Sequence, residues 1–136
     1  MIGGVGMDIV DLAMFQEQLD DKASSFVEGT FTQREIATAK ARSKTRQARF
    51  FAARFAAKEA LIKAWSTALW GQPPVLSHVD MREIEVCMDD FGRPGLVFHG
   101  AVAQAIETLG SIVCHLSLTH DGGYAAAVVV LEVRNI

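Results

Sequence analysis

The chain has 136 residues, the length of a single core, since domains typically run to ~100–150 residues, and residues 1–136 are expected to form one unit. Half of its residues are apolar and only 21% are charged, which excludes a disordered chain. Thirteen Lys and Arg against 16 Asp and Glu leave a net charge of -3, which argues against a broadly basic nucleic-acid binder.

In chain order, Ile2–Val10 reads as a short strand whose glycines at 3, 4 and 6 admit a neighbouring backbone or ligand, followed by a helix over Asp11–Leu19. Thr32-Gln33-Arg34-Glu35 matches a capping box, so a helix starts near residue 33. The strongest helical signal runs from Thr45 to Trp70, free of Gly and Pro. Within it Phe51, Phe55, Ile62, Trp65 and Leu69 fall in a sector of about 80°, the width of one buried stripe. Gly71-Gln72-Pro73-Pro74 ends it. Ile84–Met88 and Leu96–Phe98 flank the turn cluster Asp89–Pro94 as a hairpin, and Gly100–Leu109 is a helix closed by Gly110. Ile112–Thr119 and Tyr124–Val133 form a second hairpin around 120–123, and the unbroken apolar run Ala125–Leu131 predicts a last strand buried on both faces. This order predicts an α+β fold, an antiparallel sheet packed on a long central helix. No apolar run is long enough to cross a bilayer and no signal-peptide pattern opens the chain, so a soluble, cytoplasmic protein is expected, with no membrane or nucleic-acid partner. Cys87 and Cys114, without a CxxC pair, read as buried thiols.

Charge is unevenly distributed. Between Arg34 and Lys63 stand nine basic residues and two acids, Glu35 and Glu59, a block that suits a small polyanion or is simply a solvated helix face. Glu59 and Lys63, one turn apart on the flank of the central helix, can face a cleft or form an ordinary surface pair. Lys58 and Arg54 lie inside or beside the apolar stripe, where a cation needs a partner, and the group looks arranged for an anion plus a metal. Asp8, at a strand end, is either a metal-binding carboxylate or a helix cap, and His120 either a phosphate donor or an exposed turn residue. No GxSxG elbow, Walker A loop, HExxH or dinucleotide fingerprint is present.

In order, Val5-Gly6-Met7-Asp8-Ile9-Val10, Phe31-Thr32-Gln33-Arg34-Glu35, Arg54-Phe55-Ala56-Ala57-Lys58-Glu59-Ala60, Gly92-Arg93-Pro94 and Leu116-Ser117-Leu118-Thr119-His120 resemble the holo-acyl-carrier-protein synthases, small 4′-phosphopantetheinyl transferases. The segment Trp65–Leu76 and Thr119 resemble the actinobacterial branch. The resemblance implies Mg²⁺-dependent transfer of the phosphopantetheine arm of coenzyme A to a serine of an acyl carrier protein, or of a carrier domain within a type I fatty acid synthase, with release of adenosine 3′,5′-bisphosphate. It implies Asp8 and Glu59 as metal ligands, Glu59, Lys63 and Asp8 as catalytic residues, and Arg54, Lys63, Gly92, Arg93, Pro94, Thr119 and His120 on the coenzyme A. It also implies a homotrimer with interfacial active sites. The first helix, Asp11–Leu19, is apolar and acidic where many members are basic, so carrier docking is expected to rely on Arg42, Lys44, Arg46 and Arg49 instead or to be largely apolar. The competing class is a non-enzymatic trimeric sensor that binds coenzyme A or a nucleotide.

Overall fold

The computed structural model describes residues 1–134; Asn135 and Ile136 lie outside the described residues. The glycine-bearing segment forms strand β1 (Ile2–Asp11), in which Gly4, Gly6 and Val10 face inward while Val5, Met7 and Ile9 face outward and stay exposed. A Cβ on Gly6 would overlap the Ala60 carbonyl oxygen, and one on Gly4 the Ala64 carbonyl oxygen. Only glycine therefore lets this strand lie directly on the helix behind it.

Four helices follow. Helix α1 (Leu12–Asp20) is capped by Asp11, whose carboxylate accepts from the Met14 N–H at 3.1 Å. A short helix α2 (Phe26–Thr30), which no sequence signal announced, brings Phe26 into an aromatic cluster with Phe15, Phe31 and Phe55. Helix α3 (Gln33–Lys40) begins at the expected capping box, with Thr32 and Glu35 each accepting the other's backbone N–H. Helix α4 (Lys44–Ala68) is the long central helix.

Its buried face corrects the expected stripe. Ala57, Ala60 and Ala64 are fully covered and, with Ala53, recur at spacings of four, three and four to make one face. Phe51 and Trp65 are buried, but Phe55, Ile62 and Leu69 only pack against the margin of the core. Against glycines the helix must present small side chains, so alanine displaces the aromatics from the sheet-facing position.

Beyond the loop and a 3₁₀ turn (Met81–Glu83), β2 (Ile84–Met88) and β3 (Pro94–Phe98) form the expected hairpin as a separate two-stranded sheet. Helix α5 (Gly100–Ile106) runs into a 3₁₀ turn ended by Gly110, whose φ of 116° favours glycine. Strands β4 (Ser111–Asp121) and β5 (Tyr124–Arg134) pair up to Asp121↔Tyr124, so the turn is only Gly122-Gly123 and His120 belongs to the strand rather than to the turn. The main sheet has the antiparallel order β1-β5-β4. The α+β class with an antiparallel sheet on a long helix is thus observed.

Two expectations are revised. Strand β5 is covered on one face only: Ala125, Ala127, Val129 and Leu131 are at most 3% exposed, whereas Val128 is exposed, because α4 lies on a single side of the sheet. Cys87 and Cys114 are free thiols, but half-buried instead of fully buried, and burial pushes the Cys114 thiol up to about 11. Among the described residues, no helix is long and apolar enough to cross a membrane.

Candidate active site

Strand parity aims Asp8 at the helix. It shares the inward face of β1 with Gly6 and Val10, and across from it α4 presents Glu59 and Lys63 one turn apart. The Lys63 ammonium donates to Asp8 Oδ1 at 3.2 Å and to the Met7 carbonyl at 3.0 Å. Glu59 holds its proton more tightly than an ordinary glutamate, first through burial and then through the Asp8 charge, with Lys63 opposing. Asp8 and Glu59 line a groove of about 440 Å³, walled by Ile9, Met14, Gln18 and Phe55. Two distant parts of the chain, β1 and α4, therefore bring these three residues into one cluster.

A second cleft, of about 500 Å³, is cationic. Arg42, Arg46, Arg49 and Arg54 line it together with Phe50, Gly92, Thr119 and His120. Arg54 is 8% exposed, its guanidinium carbon 3.6 Å from the centre of the Phe50 ring, and its Nε–H has no hydrogen-bond partner among the described residues. Burial, and then the Arg42 charge, brings its pKa down to about 10, with Glu35 opposing. A buried guanidinium with an unused donor, beside three further arginines, suits a phosphate.

Comparisons with known proteins agree with this chemistry. The model of the 4′-phosphopantetheinyl transferase superfamily matches residues 4–129. A holo-[acyl-carrier-protein] synthase from Mycobacterium tuberculosis (strain ATCC 25618 / H37Rv) is 47% identical over 131 residues, covering 96% of this chain and 97% of the relative. The structure of a Chronobacterium ammoniagenes ACPS-CoA complex superposes with a TM-score of 0.91 at 40% identity, over 96% of this chain and 97% of that one. A Bacillus anthracis holo-(acyl-carrier-protein) synthase in complex with CoA (3′,5′-ADP) aligns at a TM-score of 0.76 and 35% identity, over 98% and 99% of the two chains. The chain belongs to the holo-[acyl-carrier-protein] synthase family.

With that family in view, the residues named from the sequence divide into three groups. Asp8, Glu59 and Lys63 come together at the β1–α4 contact, and Arg54, Gly92, Thr119 and His120 come together in the cationic cleft. Arg93 and Pro94 stay on the hairpin: Arg93 turns to Asp89 at 3.6 Å and lies over Phe91, and neither residue lines the cleft.

Lys58 is the clearest correction. It does not face an anion site, because its ammonium, fully buried, donates to Glu35 at 2.8 Å, to the Met81 carbonyl at 3.0 Å and to the Ile84 carbonyl. Those three acceptors exhaust its donors. Three of the four cations expected to dock the carrier, Arg42, Arg46 and Arg49, wall the cleft around Arg54. Arg46 and Arg49, three residues apart, share one face of α4, and Arg42 joins them from the segment before the helix, but nothing local says what that face meets. Phe50, the platform under Arg54, was not singled out by the sequence reading.

Among the described residues no group of three or more His, Cys, Asp or Glu could hold a metal ion. Asp8 and Glu59 nevertheless fit Mg²⁺, which takes one or two protein carboxylates and completes its shell with waters and substrate phosphates. The Asp8 charge, after burial, raises the cost of ionising Glu59, a condition that a cation relieves.

Proposed function

We propose that this protein, acting as a single domain over residues 1–136, transfers the 4′-phosphopantetheine arm of coenzyme A to a serine of an acyl carrier protein or carrier domain, with Mg²⁺, releasing adenosine 3′,5′-bisphosphate. The observation that carries the reading is the juxtaposition of Asp8 with Glu59 and Lys63 in a chain of this family.

Asp8 and Glu59 would hold Mg²⁺, which supplies charge neutralisation of the diphosphate and polarisation of the attacked phosphorus. Glu59, with its raised proton affinity, takes the proton from the acceptor hydroxyl. The serine Oγ–phosphorus bond forms as the bond from that phosphorus to the bridging oxygen breaks. Lys63, half exposed and held by Asp8 and the Met7 carbonyl, can turn toward the oxygen that departs with the bisphosphate. Arg54, Thr119 and His120, with Arg42, Arg46 and Arg49, hold the nucleotide phosphates, and Gly92 leaves room for the nucleotide. Arg93 and Pro94 shape the turn beside it.

The site is read as shared between subunits of a homotrimer. Arg54 and Glu59 lie five residues apart on α4, which places them about 140° apart around the helix and about 7.5 Å along it. The cationic cleft and the acid groove share no lining residue. This separation supports a donor held by one copy's cleft with its diphosphate at a second copy's acids. The uncovered face of the main sheet, with Val5 at 51%, Met7 at 63% and Ile9 at 62% exposure, supplies the apolar contact area for such an assembly.

The deciding experiment is incubation with apo carrier, coenzyme A and Mg²⁺, followed by intact mass measurement. A gain of one phosphopantetheine is expected with an isolated carrier or a type I synthase carrier domain. No gain with either, despite coenzyme A binding, would favour the sensor reading.

A further inference from the structure

The corner where α3 passes into α4 holds more positive charge than the nucleotide cleft uses. From Ile36 to Lys58 the sequence has seven Lys or Arg and no Asp or Glu. Lys40, Arg42, Lys44 and Arg46 stand exposed around the corner, and among the described residues none of them is in an ion pair. Arg42 and Arg46 line the cationic cleft and also a second hollow of about 600 Å³, so the corner opens directly beside the nucleotide. Lys40 and Lys44 line neither.

This placement works against the helix. The first turn of α4 has no acid, Ser43 supplies no side-chain cap, and Lys44 and Arg46 add charge to the positive end of a 25-residue helix. The backbone of the corner is nonetheless pinned. The Arg42 N–H donates to the Ala39 carbonyl at 3.0 Å, and the Gln47 side-chain amide donates to the Arg42 carbonyl at 2.8 Å. A fixed corner of unpaired cations, which its own helix disfavours, suits a partner of opposite charge.

The wall beside the reacting acids has the reverse sign. Residues 11–21 contain Asp11, Glu17, Asp20 and Asp21 and no Lys or Arg, and helix α1 of this stretch borders the groove of Asp8 and Glu59. An acidic partner is therefore repelled by α1 and drawn to the corner. The transfer reaction brings one macromolecule to this protein, the carrier.

Resting on the transfer reading, we propose that Lys40 and Lys44, beside Arg42 and Arg46, form the surface on which an acidic face of the carrier docks. In the shared arrangement, the copy whose cleft holds the nucleotide presents this corner while the next copy's acids receive the serine. One subunit edge thus holds both substrates: the arginines of the cleft take phosphates and the lysines outside it take carboxylates.

The test is the paired reversal Lys40→Glu/Lys44→Glu, since neither lysine lines the cleft. KM for the carrier is expected to rise about tenfold or more with kcat near that of the parent, while coenzyme A affinity in calorimetry moves less than about twofold. Added salt should raise carrier KM more for the parent than for the reversed pair, because exposed charges are screened. Changing the acids beside the carrier's serine to Lys should restore activity with the reversed pair and impair it with the parent. Lys40→Gln/Lys44→Gln, a milder change, should give an intermediate KM and serves if circular dichroism shows that the reversal disturbs folding. Glu17→Lys/Asp20→Lys on α1 should move carrier KM less than the lysine reversal does. Unchanged carrier KM in both lysine pairs overturns the docking surface while transfer stands, as does an effect of the α1 change as large as that of the corner. Retention of a duplex oligonucleotide by the corner at about 0.15 M salt, with carrier KM unmoved by the lysine pairs, also overturns it. Absence of transfer by the parent overturns the transfer reading and this proposal with it.

Discussion

Glu59 stands where stability and chemistry pull in opposite directions. Its carboxyl is partly buried and faces Asp8, so its pKa in the folded chain lies above the usual carboxylate value. Such a group favours the folded state when protonated. The cost of its charge is therefore fully present above the folded pKa and vanishes as pH falls below the unfolded-state value. Glu59→Gln is expected to be more stable than the parent in denaturant at neutral pH, with the gap closing as pH falls through this window, while transfer drops at least ~100-fold. In the metal-free protein, carboxyl NMR should show Glu59 titrating above an ordinary glutamate, and added Mg²⁺ should lower that titration; no Mg²⁺ response would remove the ion from this pair. Arg54 makes the complementary case for the cleft. Its Nε–H is unpaired and its ring partner is Phe50. Arg54→Ala should weaken coenzyme A binding about 10- to 100-fold in calorimetry, the equivalent of one hydrogen bond to a charged group. Unchanged affinity would reassign Arg54 to packing.

At the level of elements, the buried Lys58–Glu35 pair sets the orientation of α4. Glu35 accepts from the Val86 and Thr32 backbones as well as from Lys58, so α3, α4 and β2 meet at one ion pair. Next to it, Glu85 accepts from Thr32 and faces His99, and these bonds bring its pKa below the usual glutamate value although burial opposes them. Lys58→Met would leave Glu35 charged and unpaired in the interior, at a cost of about 3–5 kcal/mol in equilibrium denaturation. A loss under ~1 kcal/mol would mean that water reaches the pair. Local signals served well for these elements: the capping box at Thr32, the helix run to the residues before Gly71, and both hairpins are where the sequence puts them. They failed where partners decide. The alanine stripe of α4 reads as unremarkable by hydropathy, and only the glycines of β1 make it the contact face. Helix α2, at five residues, is too short to show a period.

For the whole molecule, the uncovered side of the three-stranded sheet is the dominant feature. Val5, Met7, Ile9 and Val128 line up across β1 and β5, exposed and, among the described residues, with no helix above them. If copies pack on this face, Val5→Arg should sediment as a monomer with native circular dichroism and lose transfer, since no neighbouring cleft then meets the acids. A parent protein that is active as a monomer in sedimentation would end the shared-site reading. Lengths, breaks and periodicities along the chain determined the elements, the α+β class and the cationic block, because those depend on residues within a few positions of one another. The motifs in their family order also named Asp8, Glu59 and Lys63. Which partner each lysine of α4 meets was decided only in three dimensions. Lys58 and Lys63 are five positions apart on one helix, yet one meets a glutamate 23 residues away and the other an aspartate 55 residues away. The same holds for the arginines that gather around Phe50 and for the indole of Trp65 left without a partner. Helical period fixes the direction of a side chain, but the element waiting there is set by the packing of remote segments.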